Sequence, residues 1–357
     1  MPGPYSVLIF GASYGSLLAT KLAMAGHAVK LLCLSAEAEK INADGVIVRM
    51  PVRGRDALVE IHSKSLSGSI TAGGTKDVTP DNFDLIALAM QEPQYRAPGV
   101  RELLAKIAQS GKPCMSIMNM PPLPFMKRIP GIDPETIQKC YADATVWDGF
   151  DPANMTLCSP DPQAFRPPDD PPNVLQVSLP TNFKAASFED AASTQMLRDM
   201  QAGIEQARFT MDGEDIEVPV KLKVHNSVFV PLAKWAMLLT GNYRCIQLDG
   251  MRSIRDAVHT DLAKSKDVYD WVRALCMSIG AAENDLVPFE KYAAAGEGLI
   301  KPSSAARALE AGAQNIERVD LLVKTIADGR GLSHPSVDET VAAVEHWLSK
   351  NRQGAAA

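Results

Sequence analysis

The sequence predicts an α/β protein with a mostly parallel sheet in its N-terminal part and an all-helical C-terminal domain. Three observations carry this. Ser6-Val7-Leu8-Ile9-Phe10 is an apolar run that reads as a strand buried on both faces, and Gly11 ends it. Further short apolar runs, at Ala28–Leu34, Asp84–Met90 and Pro113–Met118, alternate with segments of helical periodicity, the pattern of a doubly wound sheet. From Lys221 onward the chain reads as nearly all helix. The 357 residues suffice for two domains, expected at 1–217, including a proline-rich insert at 151–173, and at 218–357.

The first strand leads into Gly11-Ala12-Ser13-Tyr14-Gly15-Ser16, a small-residue turn, and then Leu17–Ala25 at helical spacing. Gly26-His27 end that helix, and Ala28–Leu34 is the second strand. Strand, tight turn, helix and strand within about 30 residues form the βαβ unit that holds a dinucleotide pyrophosphate at a helix N-terminus, so the predicted sheet is of the Rossmann type. A G-x-G-x-x-G template laid on Gly11 puts Ser13 at the second glycine and Ser16 at the third, with Gly15 displaced by one. Gly11 keeps the sharp turn, Ser13 still offers a small side chain and an N–H, and Ser16 is a tolerable packing residue. Gly11, Ala12, Ser13, Tyr14, Gly15 and Ser16 are therefore the expected pyrophosphate contacts. A βαβ unit that binds no nucleotide is the competing reading.

Ser35–Ile41 reads as a short helix or turn where a dinucleotide fold contacts the adenosine ribose. Leu34-Ser35 carries no acid, which points to NADP with NAD left open, and Ser35 and Lys40 are the phosphate candidates; a solvated Lys40 is the alternative. Gly45–Arg49 and Leu58–His62 read as short strands, Ser67–Gly74 as a flexible turn and Val100–Gln109 as a helix. Gln91, Gln94 and Asn119 follow two strands directly, at the carboxyl ends where such sheets bind ligands. Asn119 is equally suited to capping a turn. Prolines at 152, 160, 162, 167, 168, 171 and 172 make 151–173 a long loop, after which Val174–Leu179 resumes strand patterning and Asp190–Arg208 reads as a helix. Lys221–Leu239 reads as one long helix, notched at Pro231 and bearing Lys221, Lys223, His225, Asn226 and Ser227.

At this point the order of parts resembles the ketopantoate reductase (2-dehydropantoate 2-reductase) family, over most of the chain and as a divergent member. Four stretches carry the likeness: Val7–Ser16 with Gly26-His27; Asp84–Met90 with Gln94, where Gln91 stands in place of the usual Lys; Ile117-Met118-Asn119-Met120, where Met120 replaces a glycine; and a C-terminal set. That set comprises Lys221–Leu232, Pro302-Ser303-Ser304, Glu317 and Gly331–Pro335. The resemblance implies a helical second domain, an active site between the domains, a homodimer, and a catalytic Lys one helical turn before an Asn. Leu222 occupies that position here; Lys223 lies three residues before Asn226, and Lys221, five before, fits only with a π-bulge. Lys221 or Lys223 with Glu317 would then stabilise the alkoxide and deliver the proton, while Asn119 and Asn226 bind substrate oxygens. Ser303 and Ser304 are substrate contacts in this reading and a plain helix N-cap in the other. The implied activity is an NAD(P)-dependent oxidoreductase reducing a 2-oxo acid to a 2-hydroxy acid, or the reverse. An opine-like imine or aromatic alcohol dehydrogenase (with His225 as acid–base in the opine case) and a non-catalytic nucleotide-binding regulator stay open.

Composition narrows the partners. Hydrophobic content of 46% with 22% charged residues is that of an ordinary globular chain, and a net charge of -6 argues against nucleic acid or an anionic membrane as partner. No apolar run is long enough for a bilayer and no signal-like N-terminus is evident, so a cytoplasmic protein is expected. The six cysteines and six histidines are scattered without ligand spacing, so buried thiols and no metal are expected.

Overall fold

The computed structural model describes residues 3–356. Two compact units emerge: Met1–Met90, Gln94–Phe125 and Thr145–Asn226 make the first, and Gln91–Pro93, Met126–Ala144 and Ser227–Ala357 the second. The expected boundary at 217/218 falls ahead of a strand that belongs to the first unit's sheet.

The chain opens with β1 (Ser6–Phe10), α1 (Gly15–Met24), β2 (Ala28–Leu32), α2 (Ser35–Asp44), β3 (Ile47–Met50), β4 (Val59–His62) and β5 (Ser69–Gly73). Then come β6 (Leu85–Leu88), α3 (Val100–Ser110), β7 (Cys114–Ile117) and the single turns α4 (Leu123–Met126) and α5 (Pro134–Ile137). The first unit ends with β8 (Met155–Ser159), β9 (Gln163–Phe165), β10 (Val174–Leu179), β11 (Phe183–Ala186), α6 (Ala191–Gln206), the hairpin β12 (Phe209–Met211)–β13 (Glu214–Ile216), and β14 (Leu222–His225).

Eight strands form the main sheet in the order β14-β11-β8-β7-β6-β1-β2-β5. All neighbours are parallel except β11 against β8. The apolar runs of β1, β6 and β7 explain this, since central parallel strands are covered on both faces; Val7, Leu8, Ile9 and Phe10 are completely buried. A second sheet, β4-β3-β10-β9, packs its Val48, Met50, Ile61, Leu175 and Val177 into the same core.

Three expectations need correction. Ser67–Gly74 is not a flexible turn: Ser69–Gly73 is the edge strand β5, paired to β2 from Ala28↔Ser69 to Leu32↔Gly73. Its glycine serves close approach, since a Cβ on Gly68 would meet His27 O at 2.2 Å. The proline-rich segment is not one loop either. β8, buried throughout, joins β7 and β11 in the main sheet, and β9 pairs with β10. Finally, Lys221–Leu239 is not a helix. Val220 sits at φ 66°, which no helix continues through, and Leu222–His225 then pairs with β11 from Phe183↔Leu222 to Ala186↔His225.

The second unit is helical, as expected, apart from the short pair β15 (Ile246–Gln247) and β16 (Gly250–Met251). Pro231 opens a 3₁₀ turn that passes into α7 (Lys234–Met237) and a π-helical turn at Leu238–Asn242. The rest is α8 (Ile254–His259), α9 (Leu262–Ser278), α10 (Phe289–Gly296), α11 (Ser304–Glu310), α12 (Val319–Asp328) and α13 (Pro335–Ala356). Tyr269 stacks on Tyr292 and meets Phe289 edge-on, tying α9 to α10. Among the described residues no helix is long and apolar enough to cross a membrane, and no group of three His, Cys, Asp or Glu is placed to hold a metal ion.

Candidate functional site

The turn after β1 is built for close backbone approach. Gly11 has φ +87°, and a Cβ there would lie 2.9 Å from Met90 Cγ and 3.0 Å from Ala89 O. A Cβ on Gly15 would lie 2.7 Å from Ile9 Cγ2. Gly15, and not Ser16, therefore provides the intimate helix–strand packing that the template assigns to its third glycine. Ser16 turns its hydroxyl back to donate to Ala12 O, stiffening the turn. Ala12 is buried and Ser13 is exposed at the tip. No side chain caps α1, whose start follows the carboxyl end of β1, and its Ser16 and Leu17 N–H groups donate to Ser13 O and Tyr14 O. Tyr14 closes one side: its hydroxyl donates to Pro162 O at 2.8 Å and its ring meets Phe183 edge-on at 5.9 Å. Burial holds its phenol well above the usual range.

Ser35 starts α2 and is exposed, while Lys40 pairs with Asp44 at 2.6 Å along the helix surface. The charge next to the end of β2 comes from elsewhere. Arg166, following β9, donates to the Glu37 carboxylate in the first turn of α2. The pair spans 129 positions of sequence, and no local spacing announces it. At the end of β6, the Met90 N–H donates to the hydroxyl of buried Tyr95 at 3.0 Å, which packs on Phe10 and Trp147. Gln94 is exposed beyond that strand and Asn119, half-buried, follows β7. Gln91 is exposed and belongs to the second unit.

Because Lys221 and Lys223 flank and enter a strand, the helical-register argument for them falls. Lys221 precedes β14, which starts at the carboxyl edge of the parallel strands; its carbonyl accepts from Phe183 N–H at 2.9 Å. Its ammonium lies 3.1 Å from Glu217 Oε1, and Lys223 pairs with Glu205 of α6. Asn226 Oδ1 accepts from Arg198 Nη2 at 2.5 Å. A residue with no sequence signal, Lys21 of α1, is fully buried and donates to Val218 O at 3.1 Å and Pro219 O at 3.0 Å. Burial, with Lys221 adding repulsion, lowers Lys21 to about 7.

Glu317 lies in the second unit, buried, its Oε1 accepting from the Glu92 N–H at 3.4 Å. The Glu92 carboxylate in turn accepts from the Ala142 N–H at 3.2 Å. Ser303 is the N-cap of α11: it accepts from Ala306 N–H at 3.1 Å and donates to Asn242 O at 2.6 Å. Its hydroxyl is thus committed to structure, and Ser304 begins the helix exposed.

No family model matches the chain, and no curated protein matches it by sequence. Solved structures do. A 2-dehydropantoate 2-reductase from Methylococcus capsulatus superposes with a TM-score of 0.66 at 14% identity, covering 97% of each chain. The chain has the ketopantoate reductase fold. A ketopantoate reductase from Ralstonia eutropha matches with a TM-score of 0.60 at 13% identity, over 97% of this chain and 99% of that one. The dimeric ketopantoate reductase from Staphylococcus aureus gives 0.60 at 12%, over 97% and 99%. The likeness extends over both units.

Proposed function

We propose that the chain is an NAD(P)-dependent oxidoreductase that reduces a 2-oxo acid to a 2-hydroxy acid, or runs the reverse. The observation that carries this is the left-handed Gly11 turn opening the uncapped α1 at the carboxyl ends of the strands. A helix start without a side-chain cap, below a left-handed glycine, suits a pyrophosphate, with Gly11–Ser16 along it and Ser35 at the adenosine end. A reduced nicotinamide dinucleotide held there supplies a hydride to the carbonyl carbon. The chain's own task is then to place the substrate and protonate the oxygen. Asn119, Gln94 and Gln91 follow the strands on that edge and are proposed as orienting donors. For the acid we propose Lys221, since it opens β14 beside Phe183, which abuts Tyr14 of the turn, with Lys223 and Glu317 as the other candidates. Asn226 and Ser304 are proposed as lesser substrate contacts. A homodimer is proposed by analogy with the Staphylococcus aureus enzyme.

The test is titration with NADPH and NADH, followed by absorbance of the reduced nicotinamide during incubation with a panel of 2-oxo acids including ketopantoate. Turnover that Lys221→Ala abolishes and Lys223→Ala leaves intact supports the assignment. Binding without turnover on any oxo acid favours a regulator, and absence of binding overturns the enzyme reading.

A further inference from the structure

We propose that Lys21 and Asn182 are positioning residues that clamp the chain on either side of Val220 and so aim Lys221, the acid proposed above; this rests on that reading. Lys21 lies in the middle of α1, a helix buried on every side, where an ammonium is costly unless it is satisfied. What it holds is irregular main chain. Val218 and Pro219 lie outside any strand or helix, and their carbonyls accept from the Lys21 ammonium at 3.1 and 3.0 Å. The next residue, Val220, is buried and β-branched, yet it sits at φ 66°, in the left-handed region such side chains rarely enter. Strain of that kind persists only where the surroundings over-determine it. The other jaw closes at the following residue. The Lys221 N–H donates to Asn182 Oδ1 at 2.8 Å, and the Lys221 carbonyl accepts from Phe183 N–H at 2.9 Å.

Both jaws lead back to the glycine turn. Lys21 stands on the helix that this turn opens, six residues beyond Gly15 and about 9 Å along its axis. Asn182 immediately precedes β11, whose Phe183 ring meets Tyr14 of the turn edge-on at 5.9 Å. The acid and the proposed cofactor cradle are thereby set against each other through one helix and one strand. Charge fits this arrangement. Burial first, and then the Lys221 charge, lower Lys21 to about 7, while Glu217, 3.1 Å from the Lys221 ammonium, acts in the opposite sense. A lysine has three N–H donors as an ammonium and two as an amine, so the two carbonyls stay bonded on either side of that value.

Steady-state kinetics of the full chain test this, with NADPH and ketopantoate or whichever 2-oxo acid of the panel the wild type reduces. The variants are Lys21→Met, which keeps the volume and removes the donors, Asn182→Ala, and Asn182→Asp, which keeps an acceptor for the Lys221 N–H. Lys21→Met and Asn182→Ala should each lower kcat about ten- to a hundredfold, as a displaced acid does. KM and the cofactor Kd should stay within about twofold, and the solvent isotope effect on kcat should grow, because proton delivery and not binding is impaired. Asn182→Asp should return kcat to within about threefold of wild type. A purely structural role would lower the melting temperature and leave the isotope effect where it was. Unchanged kcat in either loss variant overturns the proposal, as does a fall in cofactor affinity equal to the fall in kcat. If Lys21→Met does not fold, the Asn182 pair decides, and failure of Asn182→Asp to restore kcat overturns the clamp. Full turnover in Lys221→Ala, or none in wild type on any oxo acid, instead removes the acid reading and this proposal with it.

Discussion

Two helix starts in this chain look alike in sequence and behave differently. Helix α1 begins at Gly15-Ser16 and α11 at Ser304-Ala305, both in small residues. At α11 the Ser303 hydroxyl accepts from the Ala306 N–H and donates to Asn242 O, so the protein itself closes that end. At α1 no side chain does so. Ser16 bonds back to Ala12, Gly15 lets the first turn lie against Ile9, and Gly11 bends the chain away in a left-handed conformation. A capped start is a joint, whereas an uncapped one below a glycine turn offers its dipole to an anion.

The largest effect should come from filling the open start. Gly11→Val adds backbone strain of about 1–3 kcal/mol and crowding of about 1–3 kcal/mol more, and removes dinucleotide binding. Urea midpoints and cofactor titration check both, and retained binding would erase the contrast with α11. The next concerns Lys21, farther along α1. Its folded value of about 7 lies below its ordinary 10.5, so between those limits the unfolded chain holds more protons and stability rises with pH. Lys21→Met should flatten the rise across that window in urea unfolding; equal slopes in both proteins would show that Lys21 is not the source. Ser303→Ala should cost about 1 kcal/mol in a thermal melt and leave cofactor affinity unchanged. A raised KM without lost stability would instead make Ser303 a substrate contact. The smallest is Lys40→Ala, whose exposed pair with Asp44 is worth at most about 0.5 kcal/mol and whose loss should not alter NADPH affinity.

Much of the first unit was legible because its central strands are continuous apolar runs that need no knowledge of their neighbours. β1, β6 and β7 are of this kind, and α6 lies within the expected Asp190–Arg208, with Asp190 accepting from Ser193 N–H at 2.6 Å as its N-cap. The main-sheet strands missed, β5, β8, β11 and β14, are short and mostly rich in small or polar residues, and it is pairing with β2, with β7 and with one another that makes them strands. That one difference displaced Lys221 and Lys223 from a helix to a sheet edge, and a spacing of three or five residues before Asn226 has meaning only on a helix. Arg166 was invisible for the same reason: its partner is set by sheet pairing far along the chain.

The sequence by itself determined the βαβ start, the alternation that makes an α/β sheet, and the helical second part, because buried apolar periodicity is a local property. Which glycine packs α1 against β1, which lysines are committed to carboxylates, and which arginine reaches the end of β2 were decided only by tertiary structure. Each depends on a distance between segments that no local pattern encodes, and a Cβ 2.7 Å from Ile9 exists only once the helix has docked.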